Sequence, residues 1–181
     1  MNVIQKVTES QIYFKEAYGL SLRSKQLSVL KSKEELVEET FERNEGCTTT
    51  ACIKALEFAI NHQDSTVLLI APFRPTAQIE FNYISDFLKR ERLCRFYYRT
   101  KKNGQTMFEF ELINGSRISI KVANKMDSLR GVRSDCTIIE PSRVFNKELI
   151  DNICLFNTCS KIRQTVVLNQ IDSLGGQPLN I

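Results

Sequence analysis

Three clusters of polar residues carry side chains able to do chemistry. The first, Arg43-Asn44-Glu45-Gly46-Cys47-Thr48-Thr49, is a polar turn with one glycine ahead of a helix-patterned segment. The second is Glu140, directly after the short apolar run Cys136 to Ile139, and the third is Asn169-Gln170, after Thr165 to Leu168. A strand, a glycine turn ending in Thr-Thr and a helix make up the plan of a phosphate cradle. Backbone N–H groups at the helix start face the anion and a hydroxyl reaches Mg²⁺. A carboxylate at the end of a neighbouring strand then holds that cation or its water. Ligands of parallel α/β sheets gather beyond the carboxyl ends of strands, so the three clusters are expected to share one rim.

The elements that must position them can be read from apolar spacing. Thr66 to Ala71 (TVLLIA) is a continuous apolar run of strand length, as in a strand covered on both faces, and Pro72 ends it. Phe108, Phe110 and Leu112 alternate with Glu109 and Glu111, and Ile118, Ile120 and Val122 alternate again after Asn114-Gly115. That arrangement predicts an antiparallel hairpin. Short strands are expected at 136–139 and 163–168. Helices are expected at 22–30 and 51–60, from Gln78 with Ile79, Tyr83, Ile84, Phe87 and Leu88 as the apolar face, and around Leu149, Ile150, Ile153 and Phe156. Leu36 to Glu42 is ambiguous, and Leu36, Val37, Thr40 and Phe41 suit a helical period better than alternation. The whole predicts α/β architecture: a mainly parallel β-sheet flanked by helices, with an antiparallel β-hairpin added. Residues 1–21 read as a polar, weakly amphipathic lead-in, and 22–181 as a single domain.

Composition removes several classes. A chain of 181 residues with 42% apolar and 25% charged residues is long enough to bury a core and is not of disordered type. No apolar run reaches the ~20 residues of a membrane span, and the first residues carry no signal-like apolar stretch. Six cysteines form no CxxC pair and His62 is the single histidine, so reduced, mostly buried thiols are expected rather than zinc. His62, beside Asn61 and Gln63, reads as a helix-end cap. The net charge of +4 is uneven: Lys89 to Lys102 holds seven basic residues against Glu91. Arg95, Arg99 and Lys101, interleaved with aromatics, suit a polyanion backbone. The plainer reading is a solvated helix end running into an edge strand, where lysines discourage strand addition.

From about Leu22 to Leu168 the chain resembles the ATPase domain of phage terminase large subunits. Leu22 with Gln26 resembles the adenine-side Q element, and residues 43–49 resemble Walker A, usually Arg-x-x-Gly-Lys-Thr-Thr. Leu68 to Pro72 with Gln78 resembles the second strand and its Ala-Pro motif. Ile113 to Ile118 matches an Asn-Gly-Ser hairpin, and Arg130-Gly131, Asp135 and Ile138-Ile139-Glu140 resemble the approach to Walker B. The resemblance implies a P-loop fold of the ASCE type that binds ATP and Mg²⁺. Gln26, Arg43, Asn44, Gly46, Cys47, Thr48 and Thr49 would serve the nucleotide, Thr48 and Glu140 the metal, and Glu140 catalysis. It further implies double-stranded DNA, a portal and a small terminase subunit as partners, a homo-oligomeric ring, no membrane, and the cytoplasm of an infected bacterial host.

Departures from the pattern carry equal weight. Cys47 stands where the Walker A lysine belongs and cannot supply its ammonium, so Arg43 is the candidate substitute. Glu140 replaces an aspartate, and Pro141 stands where the catalytic glutamate belongs. Hydrolysis is therefore expected to be slow or absent unless Glu140 itself serves. Large terminases continue into a nuclease domain that has no room here, so DNA cleavage is not expected, and the domain reads as incomplete at its C-terminal end. The alternatives are an inactive descendant acting as a DNA-binding or assembly module, and another helicase-like ATPase.

Overall fold

The computed structural model describes residues 3–103, 107–122, 133–141, 145, 147–154 and 162–171. Among the described residues five α-helices, α1 (Val3–Tyr18), α2 (Ser24–Lys31), α3 (Cys47–Asn61), α4 (Arg74–Leu88) and α5 (Lys147–Cys154), flank seven strands. The strands are β1 (Leu36–Glu42), β2 (Thr66–Ala71), β3 (Tyr97–Asn103), β4 (Met107–Leu112), β5 (Arg117–Val122), β6 (Cys136–Ile139) and β7 (Gln164–Ile171). They form one sheet in the order β1-β7-β6-β2-β5-β4-β3. The ladders from β1 through β7, β6 and β2 to β5 are parallel, and β4 runs antiparallel to both β5 and β3.

Alternation along the central strands explains why they read as unbroken apolar runs. In β2, Val67, Leu69 and Ala71 join the larger core beneath α3 and α4, while Leu68 and Ile70 face the other side with Leu149 and Ile153 of α5. In β7, Val166 and Leu168 point one way and Val167 the other. Both faces are buried, so apolar residues dominate both.

Two expectations need correction. Leu36–Glu42 is a strand, not a helix: it pairs in parallel with β7 along its full length, and Val37 and Phe41 are buried. Their separation of four is compatible with one helical face, but it is also an even number, which puts both on one side of a strand. The seven residues are too few for a stable isolated helix, and β7 offers them a complete ladder. In α4 the core-facing residues are Ala77, Glu80, Phe81, Ile84, Phe87 and Leu88. Ile79 and Tyr83, expected to face inward, are 49% and 39% exposed.

Residues 1–21 contain α1, and its last turns enter the core. Phe14, Ala17 and Tyr18 are buried, the Tyr18 ring meets Phe87 edge-on at 5.0 Å, and its hydroxyl donates to Glu57 at 2.6 Å. The Asn-Gly-Ser hairpin turn also proves to be a clamp. Asn114 Nδ2 donates to the carbonyls of Ala59 (2.8 Å) and Ile60 (3.3 Å), and Ser116 Oγ donates to that of His62 (2.6 Å). It thereby satisfies the last carbonyls of α3, which have no partner within the helix. His62 is the C-cap of α3, as its position implied. Cys47, Cys52 and Cys136 are free and buried, Cys94 free and exposed. Phe156, expected on the face of α5, lies outside the described residues. Among the described residues no helix is long and apolar enough to cross a membrane.

Candidate functional site

The turn leaving β1 is shaped by two left-handed residues, Asn44 (φ 66°) and Gly46 (φ 85°). Gly46 is the N-cap of α3, which begins at Cys47, a turn earlier than the apolar pattern indicates. A Cβ at Gly46 would lie 2.6 Å from Gln26 Nε2, so both the dihedral and the packing demand glycine. The first N–H groups of α3 have no acceptor within the helix and point outward from the turn.

Helix α2 braces this turn from one side. Gln26 accepts from the Arg23 N–H (2.9 Å) and donates from Nε2 to Thr50 Oγ1 (3.2 Å). Thr50 Oγ1 in turn donates to the Gly46 carbonyl (2.8 Å). Glu45 accepts from the Glu42 N–H at 2.7 Å and from Lys25 Nζ at 3.3 Å, contacts that hold its carboxyl below the usual range, the backbone bond first. Lys25 also donates to the Thr40 carbonyl at 2.8 Å. Gln26, expected beside an adenine, thus spends its amide on the turn itself. Arg43 and Asn44 lie exposed at the crown of the turn.

The opposite wall is acidic. Glu140 follows β6, which is separated from β1 only by β7, and all three strands run the same way. Their carboxyl ends therefore share one rim, and Thr48 Oγ1 donates to Glu140 Oε1 at 2.6 Å across it. The Cys47 side chain is buried in the same turn, within reach of the Glu140 charge. Asn169 and Gln170, expected after the strand, instead lie inside β7, paired with Thr40 and Phe41 because the ladder with β1 continues to Ile171. Thr49 is half-buried beside Thr48 in the first turn of α3.

A residue missed by sequence reasoning completes this wall. Glu80 of α4 is fully buried (0% exposed), as is Glu140 (1% exposed), the two carboxyls are close enough to act on one another, and neither Glu80 oxygen nor Glu140 Oε2 has a hydrogen-bond partner. Two ionised carboxylates have no donor between them, so this contact becomes a hydrogen bond only when one oxygen is protonated. Burial, then the Glu140 charge, pushes the Glu80 carboxyl well above the usual range. Burial raises Glu140 too, against the opposing pull of Thr48 and Cys47. The Cys47 thiol is likewise driven up, first by burial and then by Glu140, so it is a neutral thiol rather than a thiolate. The legible signal for Glu80 is its place within the stripe Ala77, Phe81, Ile84, Leu88, where an acid is out of character.

The basic segment lies elsewhere. Arg95 is exposed with its guanidinium 4.9 Å from the Phe96 ring centre, Arg99 on β3 pairs with Glu111, and Lys101 sits in β3 opposite Glu109. Strand β3 is the far edge of the sheet from β1, roughly 30 Å away at ~4.8 Å per strand. This is the helix end and edge strand of the plainer sequence reading. Arg130 and Gly131 lie outside the described residues. A cavity of about 820 Å³, lined in part by Lys31, Lys54, Phe58 and Gln164, opens at the amino ends of the strands, away from the Thr48–Glu140 contact.

The sequence matches no protein-family model and no curated protein significantly. Solved structures do share the fold. The ATPase domain of the large terminase of Thermus phage P74-26 has a TM-score of 0.68 at 17% identity, over 87% of this chain and 68% of that one. The HK97 bacteriophage large terminase gives 0.66 at 14% identity, over 89% of this chain and 37% of that one. The large terminase of a thermophilic bacteriophage, in complex with ATP-gamma-S, gives 0.61 at 10% identity, over 82% and 38%. The chain therefore spans well under half the length of the last two. At these TM-scores this chain has the fold of the ATPase domain of phage large terminases.

Proposed function

We propose that the chain is an ATP- and Mg²⁺-binding motor domain of a DNA-packaging terminase, with slow hydrolysis. The observation that carries this reading is the 2.6 Å bond from Thr48 to Glu140, which joins a helix N-terminus after a glycine turn to the carboxylate two strands away. The donor set suits a hard divalent cation: a hydroxyl, a buried carboxylate, and a Glu140 Oε2 atom without a partner. Thr48 and Glu140 would hold the cation, while Gly46, Cys47, Thr48 and Thr49 present backbone N–H groups to the phosphates. Gln26 acts at one remove, fixing the turn through Thr50. Mg²⁺ held there would supply positive charge to offset that of the phosphates. Glu140 is the carboxylate available to orient water, since Pro141 follows it. Double-stranded DNA, a portal, a small terminase subunit and sister copies in a ring are the partners of this reading, in the cytoplasm of an infected bacterium.

A second reading is a module that keeps the fold without turnover. A neutral, buried Cys47 thiol in the lysine position favours it. One experiment separates them: Mg-ATP binding and DNA-stimulated phosphate release by the wild type, Thr48→Ala and Glu140→Ala. The motor reading expects wild-type binding that either substitution weakens about tenfold or more. Wild-type protein that neither binds nor hydrolyses ATP, while Cys47→Lys regains binding, would leave the inert module. In the same preparations, changing Arg95, Arg99 and Lys101 to Ala should weaken DNA binding and its salt dependence. The slope of log affinity on log salt should become shallower by about 0.9 for each phosphate no longer neutralised.

A further inference from the structure

We infer that Glu80 is a third member of the cation site, so that one divalent cation sits between the Glu80 and Glu140 carboxylates and the Thr48 hydroxyl. The inference rests on the metal side of the reading above and adds a ligand from α4, an element outside both the glycine turn and the β6 rim.

Glu80 is 0% and Glu140 1% exposed, and three of their four oxygens have no hydrogen-bond partner. Buried carboxylates are ordinarily paired or neutralised because desolvation of a charge is so costly. An acid within an apolar helix face costs more than an aliphatic residue would, unless its oxygens are used. The fourth oxygen, Glu140 Oε1, is already tied to the Thr48 hydroxyl at 2.6 Å, so a cation drawn to the pair meets that hydroxyl as well. The positive charge between the acids does not come from position 47, which carries a thiol. Two carboxylates and a hydroxyl make a hard oxygen set, and among the described residues no group of three or more His, Cys, Asp or Glu forms a fuller cage. Mg²⁺ is commonly held by one or two carboxylates, with water and phosphate oxygens filling the remaining positions. A lone proton between the acids is the competing arrangement.

Mn²⁺, added alone without nucleotide and followed by electron paramagnetic resonance, tests the idea. Wild-type protein should bind one Mn²⁺, with affinity falling roughly 10- to 100-fold in Glu80→Gln and comparably in Glu140→Gln. Asp86→Asn, on an exposed position of the same helix, should leave it unchanged. If Glu80→Gln fails to fold, relaxation of wild-type backbone signals by bound Mn²⁺ serves instead. Ala77 to Ile84 should be broadened as strongly as Thr48. Undiminished binding by Glu80→Gln, broadening confined to Thr48 and Glu140, or no Mn²⁺ binding by the wild type would each overturn the inference, the last in favour of a proton bridge. Mg-ATP binding measured in parallel keeps the two proposals apart. A Glu80-dependent Mn²⁺ site in a protein that ignores ATP sinks only the motor reading, and ATP binding indifferent to Glu80→Gln sinks only this one.

Discussion

Cys47→Lys returns an ammonium to the first turn of α3, beside Glu140 and near the buried Glu80. At about 4 Å and an effective dielectric near 20, an ammonium and a carboxylate attract by roughly 4 kcal/mol. Taking each ion out of water costs several kcal/mol. The two effects nearly cancel, so little change in the stability of the ligand-free protein is expected. Nucleotide affinity behaves differently, because a phosphate brings its own charge to the lysine. One charge-assisted hydrogen bond contributes about 1.5–3 kcal/mol, which corresponds to roughly 10- to 150-fold tighter Mg-ATP binding. Cys47→Ser, which keeps a small neutral group without adding charge, should stay within about threefold of wild type. Titration of a fluorescent ATP analogue at fixed Mg²⁺ reads both. The same lysine should also compete with Mn²⁺ for the acid pair and weaken metal binding in the absence of nucleotide. A folded Cys47→Lys protein with unaltered affinity for both ligands would show that position 47 faces neither phosphate nor the acids, and the argument for the site would fail.

Two further perturbations test the scaffold. Asn114→Ala removes both donors to the Ala59 and Ile60 carbonyls and should cost about 1–2 kcal/mol, a fall of roughly 2–8 °C in thermal midpoint; a fall below about 1 °C would mean that water replaces the clamp. Tyr18 is fully buried, and burial first, then Glu57, holds its hydroxyl well above its ordinary range. The folded protein thus keeps a proton that the unfolded chain releases near pH 10, so this contribution is intact below pH 10 and is lost as pH rises towards the folded value. The loss approaches about 1.4 kcal/mol per pH unit. Urea unfolding at pH 9 and pH 11 should show wild type losing more than Tyr18→Phe, and parallel losses would refute the assignment.

The sequence was legible where one pattern excluded the others. An Asn-Gly between two alternating runs has one economical outcome, and the β4–β5 hairpin follows it. Apolar runs too short for helices became β2, β6 and β7. It was illegible where two periods coincide. Val37 and Phe41 are four apart, a spacing that fits one face of either element, and only the presence of β7 decides. In α4 the expected face of Ile79, Tyr83, Ile84, Phe87 and Leu88 holds for the last three, which are buried, while the sheet beneath takes Ala77, Glu80 and Phe81 in place of Ile79 and Tyr83. The hydrogen bonding of Gln26 was illegible for a related reason. Its amide is used by a residue 24 positions away, Thr50, and nothing local to the Q element reveals that partner.

Positions 43–49 combine a part that depends on backbone with a part that depends on side chains, and the two differ in this chain. The backbone part is intact: Gly46 holds a dihedral that favours glycine, α2 fixes the turn through Gln26 and Glu45, and α3 begins where its free N–H groups can meet an anion. The side-chain part offers no ammonium, since position 47 is a cysteine. A triphosphate approaching this turn meets partial positive charge from the helix start, equivalent to about half an elementary charge, but also the carboxyls of Glu140 and Glu80. If those carboxyls are ionised they repel the γ-phosphate, and if they are protonated they cannot hold the metal that would screen it. A divalent cation resolves both difficulties because it converts the acids from a repulsive wall into ligands and leaves net positive charge for the phosphates. Selection for Mg-ATP over free ATP should therefore be steeper here than in a loop that carries its own lysine, and Cys47→Lys should make that selection shallower.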